Sequence, residues 1–287
     1  MTTPQILPGL SAVSENYDLI LCDVWGVMHN GRRAFPGTGD ALTKFRASGG
    51  RVVLLTNAPV PKDRVLRYFA PLGVPETSFD DCASSGDATR HLLEQRPDDT
   101  IWVFGADEGF EHDKFLYKDL PNPRRDAPGA DLLLCIGLRD QMAEHPEDYR
   151  EELKQIVADG AGPVMVCANP DIQVRVGETL VWCAGALAAI YEELGGQVIY
   201  PGKPHAAIYD LAYAKAATLG DMPDKSRILA IGDGPITDMA GANREGIDCL
   251  YVGTGLSNTH GDFATETARL MMQSGVSATY AMAELSW

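Results

Sequence analysis

No two cysteines in this sequence have the CxxC spacing of a zinc ligand set or a redox couple, because Cys22, Cys82, Cys135, Cys167, Cys183 and Cys249 stand far apart. Most fall inside apolar runs, where they read as small buried hydrophobes of a reducing compartment. Long apolar runs are lacking too. No uninterrupted stretch approaches the roughly 18 residues needed to cross a bilayer, and the N-terminus shows no basic segment followed by an apolar one. Basic charge is scarce: 24 Lys and Arg face 40 Asp and Glu, for a net charge of -16. That balance repels a phosphate backbone and argues against nucleic acid and anionic membrane as main partners. With no internal repeat and no low-complexity tract, the expectation is a cytoplasmic globular protein. Its 287 residues suffice for one large domain or two ordinary ones.

What the sequence does contain is an alternation of short apolar runs (18–22, 51–56, 101–104, 131–136, 164–168, 197–200, 228–231, 249–252) with helical patterns (38–48, 62–72, 146–158, 178–194, 205–219, 235–245). Several of the helical patterns close on glycine, as a C-terminal cap prefers. The alternation predicts βα units, hence an α/β fold with mainly parallel sheets. Residues able to do chemistry fall in two blocks, before about Asn57 and after about Lys203. The middle therefore reads as an insertion, bounded by the polar turn 80–86 and by the break from Gly195-Gly196 to Pro201. This places a core at 1–82 and 201–287 and a second domain at 83–200.

Four segments carry the chemistry. Leu19 to Cys22 would be buried on both faces of a central strand and delivers Asp23 into a turn at its carboxyl end, where open α/β sheets bind ligands. Leu54-Leu55-Thr56-Asn57 ends a second strand in a hydroxyl and an amide, which can donate to phosphoryl oxygens without adding negative charge. Gly202-Lys203-Pro204 pre-positions a lysine in a constrained turn. Leu229 to Asp238 runs from a buried strand through Asp233 to a second carboxylate, Asp238, at a helix start. Such a pair suits Mg²⁺, which takes few protein carboxylates and completes its shell with water and substrate phosphate. Each segment alone has a plain structural reading: Asp23 and Asp233 as turn formers, Thr56 and Asp238 as helix caps, Lys203 as a surface charge.

Together, in this order, the four segments resemble the haloacid dehalogenase-like (HAD) superfamily. The insertion, with Ser84-Ser85-Gly86, Asn169-Pro170-Asp171 and Gly185-Ala186-Leu187, is similar to the class IIA cap of NagD-like sugar and nucleotide phosphatases. The resemblance implies a Rossmann-like parallel-sheet core with an inserted α/β cap, and Mg²⁺-dependent hydrolysis of a small phosphorylated metabolite. By it, Asp23 is the nucleophile that becomes an aspartyl-phosphate. Mg²⁺ would be held by Asp23, the carbonyl of Trp25 and Asp233. Lys203 would pair with Asp23 and the phosphate, Thr56 and Asn57 would steady the transferring oxygens, and Asp238 would act from behind the metal set. Asn169 and Asp171 would face the substrate from the cap, although an Asx turn is the ordinary alternative for that spot. Cap surfaces of this kind also suggest a homodimer.

The family's phosphatases carry an acid two residues after the nucleophile. Trp25 stands there, so acid–base help worth roughly 10²–10⁴-fold must come from elsewhere. His29 is one candidate, with an exposed loop histidine as its structural alternative. Trp25 itself is either a packing residue or an aromatic face offered to the substrate. The departure motivates a second reading, a degenerate relative that binds phosphate without turnover. C–halogen cleavage needs no metal and is disfavoured by Asp233 and Asp238. C–P cleavage lacks its Schiff-base lysine motif, and a dehydrogenase lacks a GxGxxG after the first strand. Trp182 and Tyr191, within the 178–194 pattern, read as core.

Overall fold

A computed structural model describes residues 3–105, 114–125, 129–157, 162–255 and 262–287. Its strands among these residues are, in chain order, β1 (Gln5–Ile6), β2 (Leu19–Cys22), β3 (Arg51–Thr56), β4 (Asp81–Ser84), β5 (Ile101–Gly105), β6 (Leu132–Gly137) and β7 (Val164–Cys167). They continue with β8 (Gln173–Val176), β9 (Thr179–Trp182), β10 (Val198–Ile199), β11 (Ile228–Gly232), β12 (Asp248–Val252) and β13 (Tyr280–Met282). A seven-stranded parallel sheet has the order β1-β13-β12-β11-β2-β3-β4, and a four-stranded parallel sheet the order β10-β7-β6-β5. β8 and β9 form an antiparallel hairpin.

The large sheet is buried on both faces because its strands are apolar at successive positions rather than at alternate ones. Ile20, Cys22, Val52, Leu54, Leu229 and Ile231 join one core; Leu19, Leu21, Val53, Leu55, Ile228 and Ala230 join the opposite one. The small sheet repeats this arrangement, with Leu133 and Cys135 facing one cluster and Leu132, Leu134 and Ile136 the other. All six cysteines are buried and free. Strand order reverses beside β2, between β3 and the much later β11, and such a switch point opens a crevice at the carboxyl ends of the strands.

Two expectations are corrected. The polar stretch 80–86 is not a turn but β4 followed by the helix Ser85–Glu94. Its polar residues are used as ladder and ion-pair partners: Asp80 Oδ2 accepts from Val52 N (2.8 Å), Asp81 pairs with Lys62 (2.8 Å), and Ser84 Oγ caps the helix by accepting from Asp87 N (3.0 Å). The pattern 178–194 is helical only over Ala184–Glu193. Its first part is β9, paired with β8 through a two-residue loop whose Gly177 has φ +63°, a region that favours glycine.

Candidate active site

Asp23 leaves the end of β2 with its N–H donated to the carbonyl of Ile231 on β11 (2.8 Å), so the first carboxylate is tied to the strand that delivers Asp233. Lys203 arrives 180 residues later, and its Nζ donates to Asp23 Oδ1 (2.5 Å) and to Asp238 Oδ1 (2.7 Å). The second oxygen of Asp238 accepts from Gly234 N (3.0 Å), so both of its oxygens are engaged. Asp23, Lys203, Asp233 and Asp238 are all buried. Asp233 lies in a cradle of backbone: a Cβ at Gly26 would come 2.4 Å from its Oδ2 and one at Gly255 only 1.4 Å. Gly26 also has φ +87°, so glycine is required there twice over. Thr254 fixes this turn by donating from Oγ1 to the Gly26 carbonyl (2.5 Å).

The Lys203 ammonium thus acts on four carboxylates, those of Asp23, Asp238, Asp171 and Asp233. Burial pushes Asp23 up, only partly offset by Lys203 and reinforced by Asp238 and Asp233. Burial likewise raises Asp233, with Asp238 adding to the shift. Burial works against the Lys203 charge, but Asp23, Asp238 and Asp171 override it and keep the ammonium charged. Ligand oxygens of Asp23, Asp233 and Asp238 all lie within 4.8 Å of one another. Hard oxygen donors, excess negative charge and the glycine cradle around Asp233 together suit a hard divalent cation.

The buried Thr56, at the end of β3, accepts from Ala58 N through Oγ1 (3.2 Å). The amide of Asn57 is engaged by protein groups rather than open to a phosphate. Its Oδ1 accepts from Lys203 N (2.7 Å), and its Nδ2 donates to the Lys203 carbonyl (3.2 Å) and to Asp171 Oδ1 (2.8 Å). Asn57 thus ties the main chain of Lys203 to the carboxyl of Asp171. Asn169 Oδ1 accepts from Asp171 N (3.1 Å), which closes the Asx turn that the sequence offers.

Asp23, Thr56, Asn57, Asp171, Lys203 and Asp233 line one cavity of about 400 Å³, together with Trp25, Asn169, Asp238 and the hairpin residues 173–176. Trp25 is half-buried and its indole N–H donates to the carbonyl of Arg175 in β8 (2.8 Å). A second link, from Gly177 N to the Asn30 carbonyl (3.1 Å), ties the hairpin loop to the same segment. The hairpin is the part of the site that the sequence reading missed. Its signal was the alternation around Val174, Val176 and Gly177.

His29 is neither the acid candidate nor the exposed loop residue expected of it. It is buried, packs edge-on to Trp25 and Phe69, accepts at Nδ1 from Gly31 N (3.1 Å) and is not among the residues lining the cavity. Burial lowers its pKa to about 4, so it is neutral near pH 7. Tyr191 is core, with its hydroxyl donated to the Pro163 carbonyl (2.7 Å).

The chain matches a family model described as haloacid dehalogenase-like hydrolase over residues 20–113 and a HAD-hydrolase-like model over 200–271. A solved hydrolase of the haloacid dehalogenase-like family from Brucella suis is 37% identical, covering 97% of this chain and 100% of that one with a TM-score of 0.84. D-glycerol 3-phosphate phosphatase of Mycobacterium tuberculosis is 25% identical over 87% of this chain, and the match spans 66% of that protein's length. Structures of the M. tuberculosis glycerol phosphate phosphatase in complex with calcium and with magnesium share the fold, with TM-scores of 0.61 and 0.63. NagD of Escherichia coli shares it as well, at 23% identity over 94% of this chain and 97% of that one, with a TM-score of 0.67. The paired carboxylates, the buried lysine, the two parallel sheets and these matches together place the chain in the haloacid dehalogenase-like hydrolase family.

Proposed function

We propose that this protein is a Mg²⁺-dependent phosphomonoesterase that acts on a small phosphorylated metabolite, a sugar phosphate or a nucleotide, through an aspartyl-phosphate on Asp23. The observation that carries the reading is the Lys203 ammonium bridging Asp23 and Asp238, beside Asp233, at the carboxyl ends of β2 and β11. Lys203 holds Asp23 through one oxygen and leaves the other to attack phosphorus, and the same ammonium offsets charge on the phosphoryl group. Thr56 steadies a transferring oxygen. Asp23, Asp233 and the main-chain carbonyl of Trp25 would hold Mg²⁺, which would supply charge neutralisation between an anionic nucleophile and an anionic substrate. Asp238, both of whose oxygens are taken, orients Lys203 from behind. The segment between β4, whose Ala83 and Ser84 pair with β3 in the large sheet, and about residue 200 acts as a cap, bringing Asn169 and Asp171 to the substrate.

A phosphatase screen of the purified chain with and without Mg²⁺, beside Asp23→Asn, tests this. Mg²⁺-dependent release of phosphate, abolished in the variant with its fold retained, is the expected result; undiminished turnover by Asp23→Asn would sink the mechanism. The fixed indole of Trp25 favours one second reading, a phosphate-binding relative without turnover. Silence on every substrate, with Mg²⁺ bound, would support it.

A further inference from the structure

We propose that Asp171 is the general acid–base of this site, donating a proton to the leaving-group oxygen and so replacing the acid that Trp25 displaces. The inference rests on the phosphomonoesterase reading above and adds to it the group that completes the reaction.

Among the described groups lining the cavity, those able to exchange a proton with a substrate include Asp23, Asp171, Asp233, Asp238, Lys203 and Tyr68, the last of them about half exposed to solvent (49%). Asp23 is the nucleophile, Asp233 belongs to the metal set, and Asp238 and Lys203 are locked to each other. The indole N–H of Trp25 is donated to the Arg175 carbonyl and has no proton to deliver. His29 lies behind Trp25, outside the lining.

Asp171 differs from all of these. Its backbone is fixed at both ends, with its N–H donated to Asn169 Oδ1 (3.1 Å) and its carbonyl accepting from Gly185 N (3.2 Å). Its carboxyl is fixed at one oxygen only: Oδ1 accepts from Asn57 Nδ2 (2.8 Å), while Oδ2 has no hydrogen-bond partner among the described residues. An amide donor on Oδ1 leaves Oδ2 as the oxygen to carry a proton. The same Asn57 side chain grips the main chain of Lys203, whose ammonium contacts Asp23, so acid and nucleophile are indexed to each other through one amide. Burial pushes the Asp171 carboxyl above the ordinary range, against the pull of Lys203 and the Asn57 amide.

In the first half-reaction an Asp23 oxygen forms a bond to phosphorus as the bond from phosphorus to the leaving oxygen breaks. That oxygen takes the proton from Asp171 Oδ2, leaving a carboxylate. In the second, the Asp171 carboxylate takes a proton from water as the water oxygen bonds to phosphorus. Inorganic phosphate departs, and Asp23 regains its electron pair.

Asp171→Asn keeps the acceptor for Asn57 and removes only the exchangeable proton, so it separates acid catalysis from positioning. Wild type and variant are assayed with Mg²⁺ on 4-nitrophenyl, phenyl and 4-methoxyphenyl phosphates, which differ little in size but widely in the basicity of the departing oxygen. Wild type is expected to depend weakly on leaving group. The variant's loss in kcat is expected to grow from a few-fold with 4-nitrophenyl phosphate to about 10²-fold with 4-methoxyphenyl phosphate. A uniform loss across the series, or a loss confined to KM, would assign Asp171 to binding and overturn the proposal. A steep leaving-group dependence already in the wild type would overturn it too, because no acid would then be at work. Silence of the wild type on all three would instead overturn the phosphomonoesterase reading, and the proposal with it.

Discussion

Lys203 is the residue on which the site's electrostatics turn. Replacing it by Met removes the ammonium that pairs with the buried Asp23 and Asp238 and leaves both without it, a change that costs about 3–5 kcal/mol when a buried ion pair loses one partner. Lys203→Met is therefore expected to lower unfolding free energy in urea at pH 7 by that order and to abolish turnover. A fall below about 1 kcal/mol would show that the carboxylates neutralise themselves at little cost. His29 gives a pH signature of its own. Its pKa is about 4 folded against 6.5 unfolded, so the unfolded chain takes up the proton first as pH falls. The contribution of the neutral ring is complete above pH 6.5 and is lost as pH falls from 6.5 towards 4, by a few kcal/mol at most. Urea titrations at pH 7 and pH 5 should show a drop in wild type that His29→Phe reduces; equal drops in the two would refute the assignment. At this scale the sequence was a good guide to groups whose chemistry is visible in the residue itself. Asp23, Lys203, Asp233 and Asp238 come together, since a carboxylate ending a buried strand has few other places to go. The burial of His29 behind Trp25 was not legible, because it depends on packing against Phe69, 40 positions away.

Among elements, the β8–β9 hairpin, whose residues 173–176 line the cavity, was the least legible. Four-residue strands carry too few positions to separate period 2 from period 3.6, so β9 was absorbed into the helix that follows it. β4 was hidden differently, by polar residues that serve as ladder and ion-pair partners rather than as a turn. The long apolar strands β2, β3, β6 and β11 were found because both of their faces are buried. The hairpin is fastened to the segment after Asp23 by the Trp25 indole and by the Gly177–Asn30 backbone bond. Trp25→Phe keeps the ring against His29 and gives up a hydrogen bond worth about 1 kcal/mol. The expected outcome is a KM raised about five-fold with a smaller change in kcat. A kcat that falls with unchanged KM would move Trp25 from holding the hairpin to the chemistry itself.

At the scale of the molecule, the carboxylates of Asp23, Asp233 and Asp238 outnumber the Lys203 ammonium among them, a local excess of negative charge that a divalent cation would relieve. A divalent cation that binds only the folded state, present at about a hundred times its dissociation constant, would add about 2.7 kcal/mol to its stability. For a chain of this size that corresponds to several degrees in Tm. Thermal melts with and without Mg²⁺ should show this rise in wild type and lose it in Asp233→Asn; an identical rise in the variant would place the ion elsewhere. The overall α/β organisation was readable from the alternation of apolar runs and helical patterns. The docking of the hairpin was not, since it joins residues more than a hundred positions apart. That separation also has a temporal meaning. Asp23 and Lys203 are 180 residues apart, so on a ribosome elongating at about 5–20 residues per second the carboxylate emerges roughly 10–40 s before its ammonium. During that interval β2 has neither β11 beside it nor a cation at its end. The catalytic centre is thus among the last parts of the chain to be completed, and turnover reports on finished folding as well as on chemistry.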